Sequence, residues 1–349
     1  MEYRYLGRSG LRVSALTMGT MTFGGGGAFA KVGGTDLAEA REQIALCLDA
    51  GVNLIDTADI YSQGRSEEIV GEALDGKRPN DLLIASKVRF RMGDGPNQQG
   101  LSRHHVISEV ERSLKRLRTD VIDILFLHAW DGMTPLEETL GAMQTLIEQG
   151  KIRYAGCSNF SAWHLMKALG LSETRALPRI VTQQIHYTLE AREAEYELAP
   201  IAVEEGVGIL VWSPLAGGLL SGKYGPDQPS ARQVAGWSEP PIRDVDRLWR
   251  IVAALKEIGA AHGVSAAQVA LAWLLGRPGV ASLVVGGRSA AQFRDSMAAV
   301  ALRLDPEERA RLDTVSALPV LYPYWHQYAT ARARFRAADR VFDRGPIED

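Results

Sequence analysis

The sequence predicts an α/β protein folded as a (β/α)8 TIM barrel, with an N-terminal β-hairpin, long rim loops and a C-terminal tail. Eight short apolar segments alternate with helical patterns through most of the 349 residues, as in parallel sheets built from βαβ units. No shift in composition divides the chain, and polar residues follow several apolar segments, at the barrel face that usually carries function. The alternative is an open doubly wound sheet, which predicts an early G-x-G-x-x-G pattern that the sequence lacks.

The individual elements follow from apolar periodicity and from turn residues. A hairpin is predicted from strands at 3–7 and 11–13, joined by the turn Arg8-Ser9-Gly10. The barrel strands are predicted at 15–19, 53–56, 82–86, 122–127, 153–157, 180–184, 207–212 and 282–285. Helices are predicted near 36–50, 66–76, 102–118, 136–149, 161–170, 191–205, 246–262, 266–276, 289–300 and 306–315.

The predicted domain organisation is one barrel over residues 1–318, followed by a tail over 319–349. The length does not require a second domain, because single (β/α)8 barrels typically have about 250 residues and often more. Two long segments, 19–35 and 223–245, follow strand ends and are either lids or plain surface loops. The tail is expected to be helical or partly irregular and is a candidate cover for a substrate site. Its arginine-rich end fits a solvated amphipathic helix better than an anion site.

Composition excludes several classes of protein. The net charge of −3 and the lack of a basic block before the tail argue against nucleic-acid binding. The start, MEYRYLGRSG, has no apolar h-region, and no run of 18 apolar residues occurs, so neither a signal peptide nor a membrane span is expected. Cys47 and Cys157 have no CxxC spacing, which favours buried thiols in a reducing cytoplasm over a disulfide or metal site. No interface motif is evident, so a monomer or weak homo-oligomer is expected.

Four ionisable residues lie at or just after predicted strands: Asp56, Tyr61, Lys87 and His128. Parallel barrel strands bring such positions to one rim, although they are far apart in sequence. A phenol titrates at about 10 in isolation, and a neighbouring cation favours its ionised form. A phenol near an ammonium and an imidazole can therefore donate a proton to a carbonyl oxygen near neutral pH. Taken singly, a surface lysine or a core histidine would be unremarkable, but the set is chemically consistent.

An ordered series of motifs resembles the aldo-keto reductase family. GVNLIDTADIYSQGRSEEIVGEAL is similar to a family signature, and IASK, LFLH, GCSNF, QQIHY and WSPLAGGLLSGKY follow in the family's order. The resemblance covers nearly all of the first 315 residues and implies a (β/α)8 barrel that binds NADP(H) without a Rossmann motif. It implies that Tyr61 is the general acid or base, that Lys87 lowers the pKa of the phenol, that Asp56 pairs with Lys87 and that His128 orients the carbonyl.

The same resemblance implies the cofactor residues. Ser158, Asn159 and Gln184 match the positions that hydrogen-bond the nicotinamide carboxamide, and Trp212 matches an aromatic residue against the nicotinamide; a core tryptophan is the alternative. The glycine-containing segment after Trp212 would wrap the pyrophosphate, because glycine lets backbone N–H groups approach phosphate oxygens closely. A turn without a ligand is its alternative. The residues assigned to it are Ser213, Pro214, Leu215, Gly217, Leu219, Ser221 and Lys223.

VVGGRSAAQFRDS resembles the family's adenosine-phosphate motif. Arg288 and Ser289 would hold the 2′-phosphate, for which a guanidinium is well suited. The remaining positions that the motif implies are Gly286, Gln292, Asp295 and Ser296. Val285 stands where a proline is frequent in the family and Ser296 where an asparagine is, so the adenine contacts stay open. Because Arg288 is present, NADPH is expected over NADH.

Loops, and not strands, should set the choice of substrate. The candidates for an apolar pocket wall are Met21, Phe23, Phe90, Trp130, Trp237 and the aromatic residues of the tail. Such a pocket suits aldehydes, aromatic ketones or polycyclic carbonyl compounds, in either direction of reaction. One alternative is a nucleotide-binding regulatory subunit of the same fold with little turnover. Another, a barrel isomerase or hydrolase using Asp56 and His128, would require a metal set or phosphate loop in a different arrangement.

Overall fold

A computed structural model describes residues 1–226, 228, 236 and 240–342 of the chain, and it contains a closed parallel barrel. Ten strands are described, two in the hairpin and eight in the barrel: β1 Tyr3–Tyr5, β2 Arg12–Ser14, β3 Leu16–Gly19, β4 Leu54–Asp56, β5 Leu83–Val88, β6 Ile122–Leu127, β7 Ile152–Ser158, β8 Ile180–His186, β9 Gly208–Trp212 and β10 Val280–Val285. Strands β3 to β10 pair in chain order, and β10 closes the ring against β3. This confirms the predicted (β/α)8 fold.

Helices surround the barrel and connect its strands. Their bounds are α1 Leu37–Asp49, α2 Arg65–Leu74, α3 Arg103–Leu117, α4 Leu136–Glu148, α5 Ala162–Arg175, α6 Leu198–Glu205, α7 Val245–His262, α8 Ala266–Leu275, α9 Ala290–Ala298, α10 Pro306–Val315 and α11 Tyr324–Ala331. Sequence-local caps begin several of them. Asp36 and Asp305 each form a capping box with a glutamate three residues on, which satisfies backbone N–H groups that the first turn leaves unpaired.

The N-terminal hairpin closes the end of the barrel opposite the strand C-termini. Strands β1 and β2 pair antiparallel, and Leu6 and Val13 are fully buried beside residues that fill the barrel, including Phe126. Gly156 makes room for this filling, because a Cβ atom there would come within 2.7 Å of the Phe126 ring. A larger apolar cluster packs between the strands and the helices. The barrel is thus filled from below, which leaves its upper rim for a site.

The described part of the C-terminal tail, residues 319–342, packs against the outside of the barrel. The Tyr324 hydroxyl donates a hydrogen bond of 2.6 Å to Glu197, and the Tyr196 hydroxyl donates one of 2.6 Å to the carbonyl of Pro319. Arg336 pairs with Glu204 in α6 at 3.0 Å. No described residue of 319–342 lines the large rim cleft, so the described part of the tail does not cover it.

Within the described residues, no single helix has the length and apolar character to cross a membrane. Helices α7 and α8 meet that test only as a pair, and they are bent by 98° where they join. In the predicted loop at 223–245, residues 227, 229–235 and 237–239, and with them Trp237, lie outside the described residues.

Candidate active site

Three strand ends bring the predicted ionisable residues together at the upper rim. Asp56 is the last residue of β4, Lys87 lies near the end of β5, and His128 directly follows β6. The ammonium of Lys87 donates 2.6 Å to Asp56 Oδ2 and 2.8 Å to the carbonyl of Thr57, and its Nζ lies 3.3 Å from the Tyr61 hydroxyl. The predicted juxtaposition is therefore present.

His128 completes the group beside Tyr61. The two rings meet edge to face with centroids 5.9 Å apart, and the Phe90 ring also packs edge to face on the imidazole, with centroids 4.8 Å apart. The Nδ1 atom of His128 is buried and has no hydrogen-bond partner among the described residues. Because buried polar atoms are normally paired, this atom has hydrogen-bonding capacity to spare in the site.

Electrostatics determine the protonation states. Burial is the largest effect on the pKa of Tyr61 and raises it. The charge of Lys87 lowers this pKa, the charge of Asp56 raises it, and the net pKa is above the usual value. Lys87 thus acts in the predicted direction, but burial outweighs it. Burial lowers the pKa of Lys87, but the negative charge of Asp56 and the neighbouring Tyr61 together raise it by more. The net pKa of Lys87 is therefore also above its usual value. Burial, Lys87 and Arg89 hold the pKa of His128 well below its usual range. At neutral pH the group is a phenol, an ammonium and a neutral imidazole.

A hydrogen-bonded amide network lies beside this group on β7, β8 and β9. Gln184 donates 2.7 Å from Nε2 to Asp56 Oδ1, so its remaining Oε1 is an acceptor. Ser158 donates 2.9 Å to the carbonyl of Gln184. Asn159 donates 3.1 Å to the carbonyl of His128 and accepts 3.0 Å from the Trp212 indole. These contacts fix the orientation of the side chains before any ligand arrives.

A cleft of about 550 Å³ runs from Tyr61 across Trp212 to the N-terminal end of α9. This volume is within the range of pockets that hold cofactors or drug-sized ligands. The cleft is lined by most of the predicted cofactor residues: Ser158, Asn159, Gln184, Trp212, Ser213, Pro214, Leu215, Gly217, Ser221, Lys223, Gly286, Arg288, Gln292, Asp295 and Ser296. Two predicted residues do not line it: Leu219 lies in the core, and Ser289 is exposed at the N-cap of α9.

Backbone strain is concentrated along this cleft. Asn159 has φ 55° and Ser213 has φ 52°, although neither is glycine. Left-handed conformations are costly for such residues and persist where the surroundings impose them, often at binding sites. Gly217 and Gly218 continue the same turn with φ of 66° and 99°. At Gly217 and Gly218 the segment after β9 thus exposes backbone to the cleft.

The far end of the cleft is more polar. The backbone N–H of Arg288 donates 2.6 Å to Gln292 Oε1, and the Arg288 side chain is exposed at the cleft. Asp295 accepts from Ser265 at 3.0 Å and from Gln268 at 2.6 Å. Arg288 therefore has a guanidinium available to an anion, whereas Asp295 is already held by α8 and its cap.

The walls around Tyr61 are apolar and differ in part from the prediction. Met21 and Phe90 line the cleft, as expected. Phe23 does not, because it is fully buried in the core, and Trp130 does not, because it stacks on His164 at 3.8 Å. Phe29, which the prediction missed, lines the cleft and packs edge to face on Tyr61 at 5.4 Å.

Gly218, in the segment predicted to wrap the pyrophosphate, also lines the cleft. Other lining residues that sequence reasoning missed are Gly19, Thr20, Thr22, Ala28, Ile60, Tyr224, Ala267, Val284, Val285 and Gly287. Many adjoin predicted positions along the chain, and this proximity was the available signal. For Phe29 the signal was an aromatic residue inside a glycine-rich segment after a strand end.

Among the residues that the structure describes, no group of three or more His, Cys, Asp or Glu side chains is arranged to hold a metal ion. Cys47 and Cys157 are both free and buried, as the sequence predicted. Burial raises the pKa of Cys47 to about 12, so its thiol stays protonated and unreactive at neutral pH.

Fold and site together define a class of protein: a (β/α)8 barrel with a tyrosine–lysine–aspartate–histidine group at its rim, beside a nucleotide-sized cleft. The chain belongs to the aldo/keto reductase family, whose sequence model matches residues 15–317. It is 39% identical over 318 residues to the uncharacterized oxidoreductase YrpG of Bacillus subtilis, covering 88% of this chain and 93% of that protein. It is 38% identical over 308 residues to a probable voltage-gated potassium channel subunit beta of Arabidopsis thaliana, covering 86% and 91%. A protein of the same description from Oryza sativa is 37% identical over 325 residues, covering 90% and 96%.

Proposed function

We propose that this protein is an NADPH-dependent aldo-keto reductase that interconverts an aldehyde or ketone and the corresponding alcohol. The observation that carries the proposal is the Tyr61 hydroxyl 3.3 Å from the buried ammonium of Lys87, at the edge of a nucleotide-sized cleft. Membership of the family and the oxidoreductase name of a relative support the reaction class.

Tyr61 is the proton donor in this proposal. Its raised pKa keeps the phenol protonated at neutral pH, which is the form that carbonyl reduction requires. When the proton leaves, the Lys87 ammonium stabilises the phenolate, because an opposite charge at this distance favours the ionised form. In alcohol oxidation the same phenolate accepts the proton.

Lys87 and His128 support this transfer in different ways. Asp56 and the carbonyl of Thr57 keep Lys87 charged in a buried position, where an unpaired ammonium would be costly. His128 is neutral, so it can donate a hydrogen bond to the carbonyl oxygen without competing for the proton of Tyr61. Donors held in place before the reaction stabilise negative charge that develops on this oxygen.

The cleft residues fit a nicotinamide cofactor, which supplies the hydride when it is bound. Gln184 Oε1, Ser158 and Asn159 form a set of acceptors and donors that suits a carboxamide, and they are already oriented by one another. Trp212 offers a ring face beside them. The turn from Ser213 presents backbone to a pyrophosphate, and the exposed guanidinium of Arg288 suits a 2′-phosphate. This last feature supports NADPH over NADH.

The apolar walls support an uncharged or aromatic carbonyl substrate. Met21, Phe29, Ile60 and Phe90 line the cleft around Tyr61. An apolar enclosure also limits water near the phenol, which strengthens the electrostatic contacts there.

A second candidate function is a nucleotide-binding regulatory subunit of the same fold with little turnover. It is favoured by the two plant relatives named as probable potassium channel beta subunits. The two candidates share the cofactor cleft and differ in the rate of turnover.

The experiment is to incubate the purified protein with NADPH and a panel of aliphatic aldehydes, aromatic aldehydes, ketones and steroid-like carbonyls, and to follow NADPH absorbance. The proposal predicts multiple turnovers with at least one class, and faster ones with NADPH than with NADH. Tight NADPH binding with no more than one turnover for every compound would favour the regulatory alternative. No binding of either nucleotide would contradict both.

A further inference from the structure

We infer that Ser62 is a positioning residue. It connects the glycine-rich segment 23–35 to the loop that carries Tyr61, between β4 and α2, and thereby holds Phe29 against Tyr61. The inference rests on the proposed function for its kinetic consequence but not for its structural part. Ser62 follows Tyr61 directly and has φ 51° and ψ 35°, a left-handed conformation that serine rarely adopts.

The side chain of Ser62 gives a reason for this unfavourable backbone. Its hydroxyl donates 2.8 Å to the carbonyl of Phe23 and accepts 2.8 Å from the backbone N–H of Gly25. Ser62 is only 3% exposed, so both backbone groups would lack water if the hydroxyl were removed. One hydroxyl therefore joins two loops that lie 37 residues apart in sequence. A glycine at position 62 would fit the backbone better and could not make this connection.

The glycine-rich segment is shaped to accept the contact. A Cβ atom on Gly24 would lie 3.0 Å from Ser62 Cβ, and one on Gly26 would lie 3.2 Å from the carbonyl oxygen of Ser62. Gly24 and Gly25 have φ of 91° and 99°, which other residues rarely adopt. The close approach thus requires glycines, and glycines leave the segment little conformational preference of its own. Ser62 supplies an external constraint.

The constraint reaches the reacting group through Phe29. The N–H of Phe29 bonds to the carbonyl of Gly26 at 3.1 Å, so the segment turns immediately after the tied glycines. The Phe29 ring then packs on Tyr61 with centroids 5.4 Å apart and an angle of 64°. The fixed stretch is short, from Ser62 to Gly25 and on to Phe29. Movement of this stretch would open the cleft wall and admit water to the phenol.

The structural part is tested by hydrogen exchange of residues 23–29 in the wild type, Ser62→Ala and Ser62→Gly. Ser62→Gly retains a backbone suited to the left-handed conformation and so guards against failure to fold. Both variants should exchange faster in this segment, by on the order of tenfold or more. If hydrogen exchange of residues 23–29 were unchanged in both variants, Ser62 would not be what holds this segment in place. This test gives an answer whether or not the protein turns over carbonyl compounds.

Ser14 provides a matched control. It is fully buried, donates 2.6 Å to the carbonyl of Leu16 and accepts 3.0 Å from the N–H of Asn53, at the opposite end of the barrel. Ser14→Ala therefore removes the same two kinds of bond away from the site. It should lower thermal stability without changing exchange in residues 23–29 or turnover.

The kinetic part is tested by a double-mutant cycle with Phe29→Ala and an aromatic aldehyde. Small misplacements near reacting groups are costly, so each single variant should lower kcat/KM by on the order of tenfold, with NADPH affinity unchanged. The double variant should be no worse than the poorer single one, because Ser62 acts through Phe29. If the losses in kcat/KM of the two single variants multiplied in the double variant, or if Ser62→Ala left kcat/KM unchanged, the positioning role would be refuted. A wild type without turnover would refute the proposed function instead.

Discussion

Replacing Asp56 by asparagine removes the charge that allows Lys87 to stay ionised inside the protein. At the observed 2.6 Å separation and an effective dielectric constant of about 20, the pair attraction is about 6 kcal/mol. Neutralising a lysine at pH 7 costs about 5 kcal/mol, because its ordinary pKa is near 10.4. Without Asp56, Lys87 can lose its proton, and the cost of that step limits the destabilisation. Asp56→Asn should therefore lower the free energy of unfolding by about 3–5 kcal/mol.

The pH dependence of this loss follows from the pKa of Lys87. In the wild type this pKa is raised, so the pair contributes fully below the unfolded value and weakens only above it. In Asp56→Asn the folded pKa falls below the unfolded value, so the penalty shrinks as pH rises from 7 toward about 10. The two stability curves should therefore converge with increasing pH.

The assay is urea unfolding of the wild type, Asp56→Asn, Lys87→Met and the double variant at pH 7 and pH 9.5. The double variant should lose less than the sum of the single losses, since removing both charges leaves no unpaired ion. Additive losses, or an Asp56→Asn penalty that does not change with pH, would show that the pair is not the coupled buried ion pair described above.

Two further predictions concern His128 and Arg288. Because the pKa of His128 is well below its ordinary value, NMR of labelled histidines should show a neutral imidazole down to pH 5.5, with the signal assigned by His128→Gln; a transition near 6.5 would contradict the neutral-donor role. The unfolded chain binds this proton more readily, so His128 should reduce stability as pH falls below about 6.5. Arg288→Ala should weaken NADPH binding by on the order of tenfold or more while sparing NADH. Arg303→Ala, at another exposed arginine, should leave the affinities for NADPH and for NADH unchanged. Equal losses of affinity for both nucleotides in Arg288→Ala would refute the 2′-phosphate contact.

The barrel and its ionisable group were predictable because both depend on local patterns. Alternating apolar segments specify the strands, and parallel strands bring Asp56, Lys87 and His128 to one rim whatever the loops do. The two largest differences in helix bounds have identifiable reasons. Helix α5 continues past Gly170 to Arg175 and ends at Ala176, whose φ of 53° provides the left-handed cap. Helix α6 begins at Leu198, since Pro200 fits only the first turn.

The cleft walls were less predictable because they depend on contacts between distant loops. Phe23 and Phe29 occupy one glycine-rich segment, yet one is in the core and the other is on Tyr61. Between them, Ser62 from a distant loop bonds to the carbonyl of Phe23 and the N–H of Gly25, and the periodicity of the sequence does not reveal such contacts. Trp130 was assigned to the wall, but His164 on α5 offers it a stacking partner outside the cleft. The net pKa of Tyr61 likewise depends on burial that sequence does not show.

The most direct measurement is the rate of carbonyl reduction by Tyr61→Phe at saturating NADPH. This change removes only the hydroxyl and keeps the ring that packs against Phe29 and His128. NADPH binding, measured by the quenching of tryptophan fluorescence, should persist. The kcat should fall by about 10²–10⁴-fold, which is the usual contribution of a positioned general acid. Turnover near the wild-type rate in a variant that binds NADPH normally would show that the Tyr61 hydroxyl is not the proton donor.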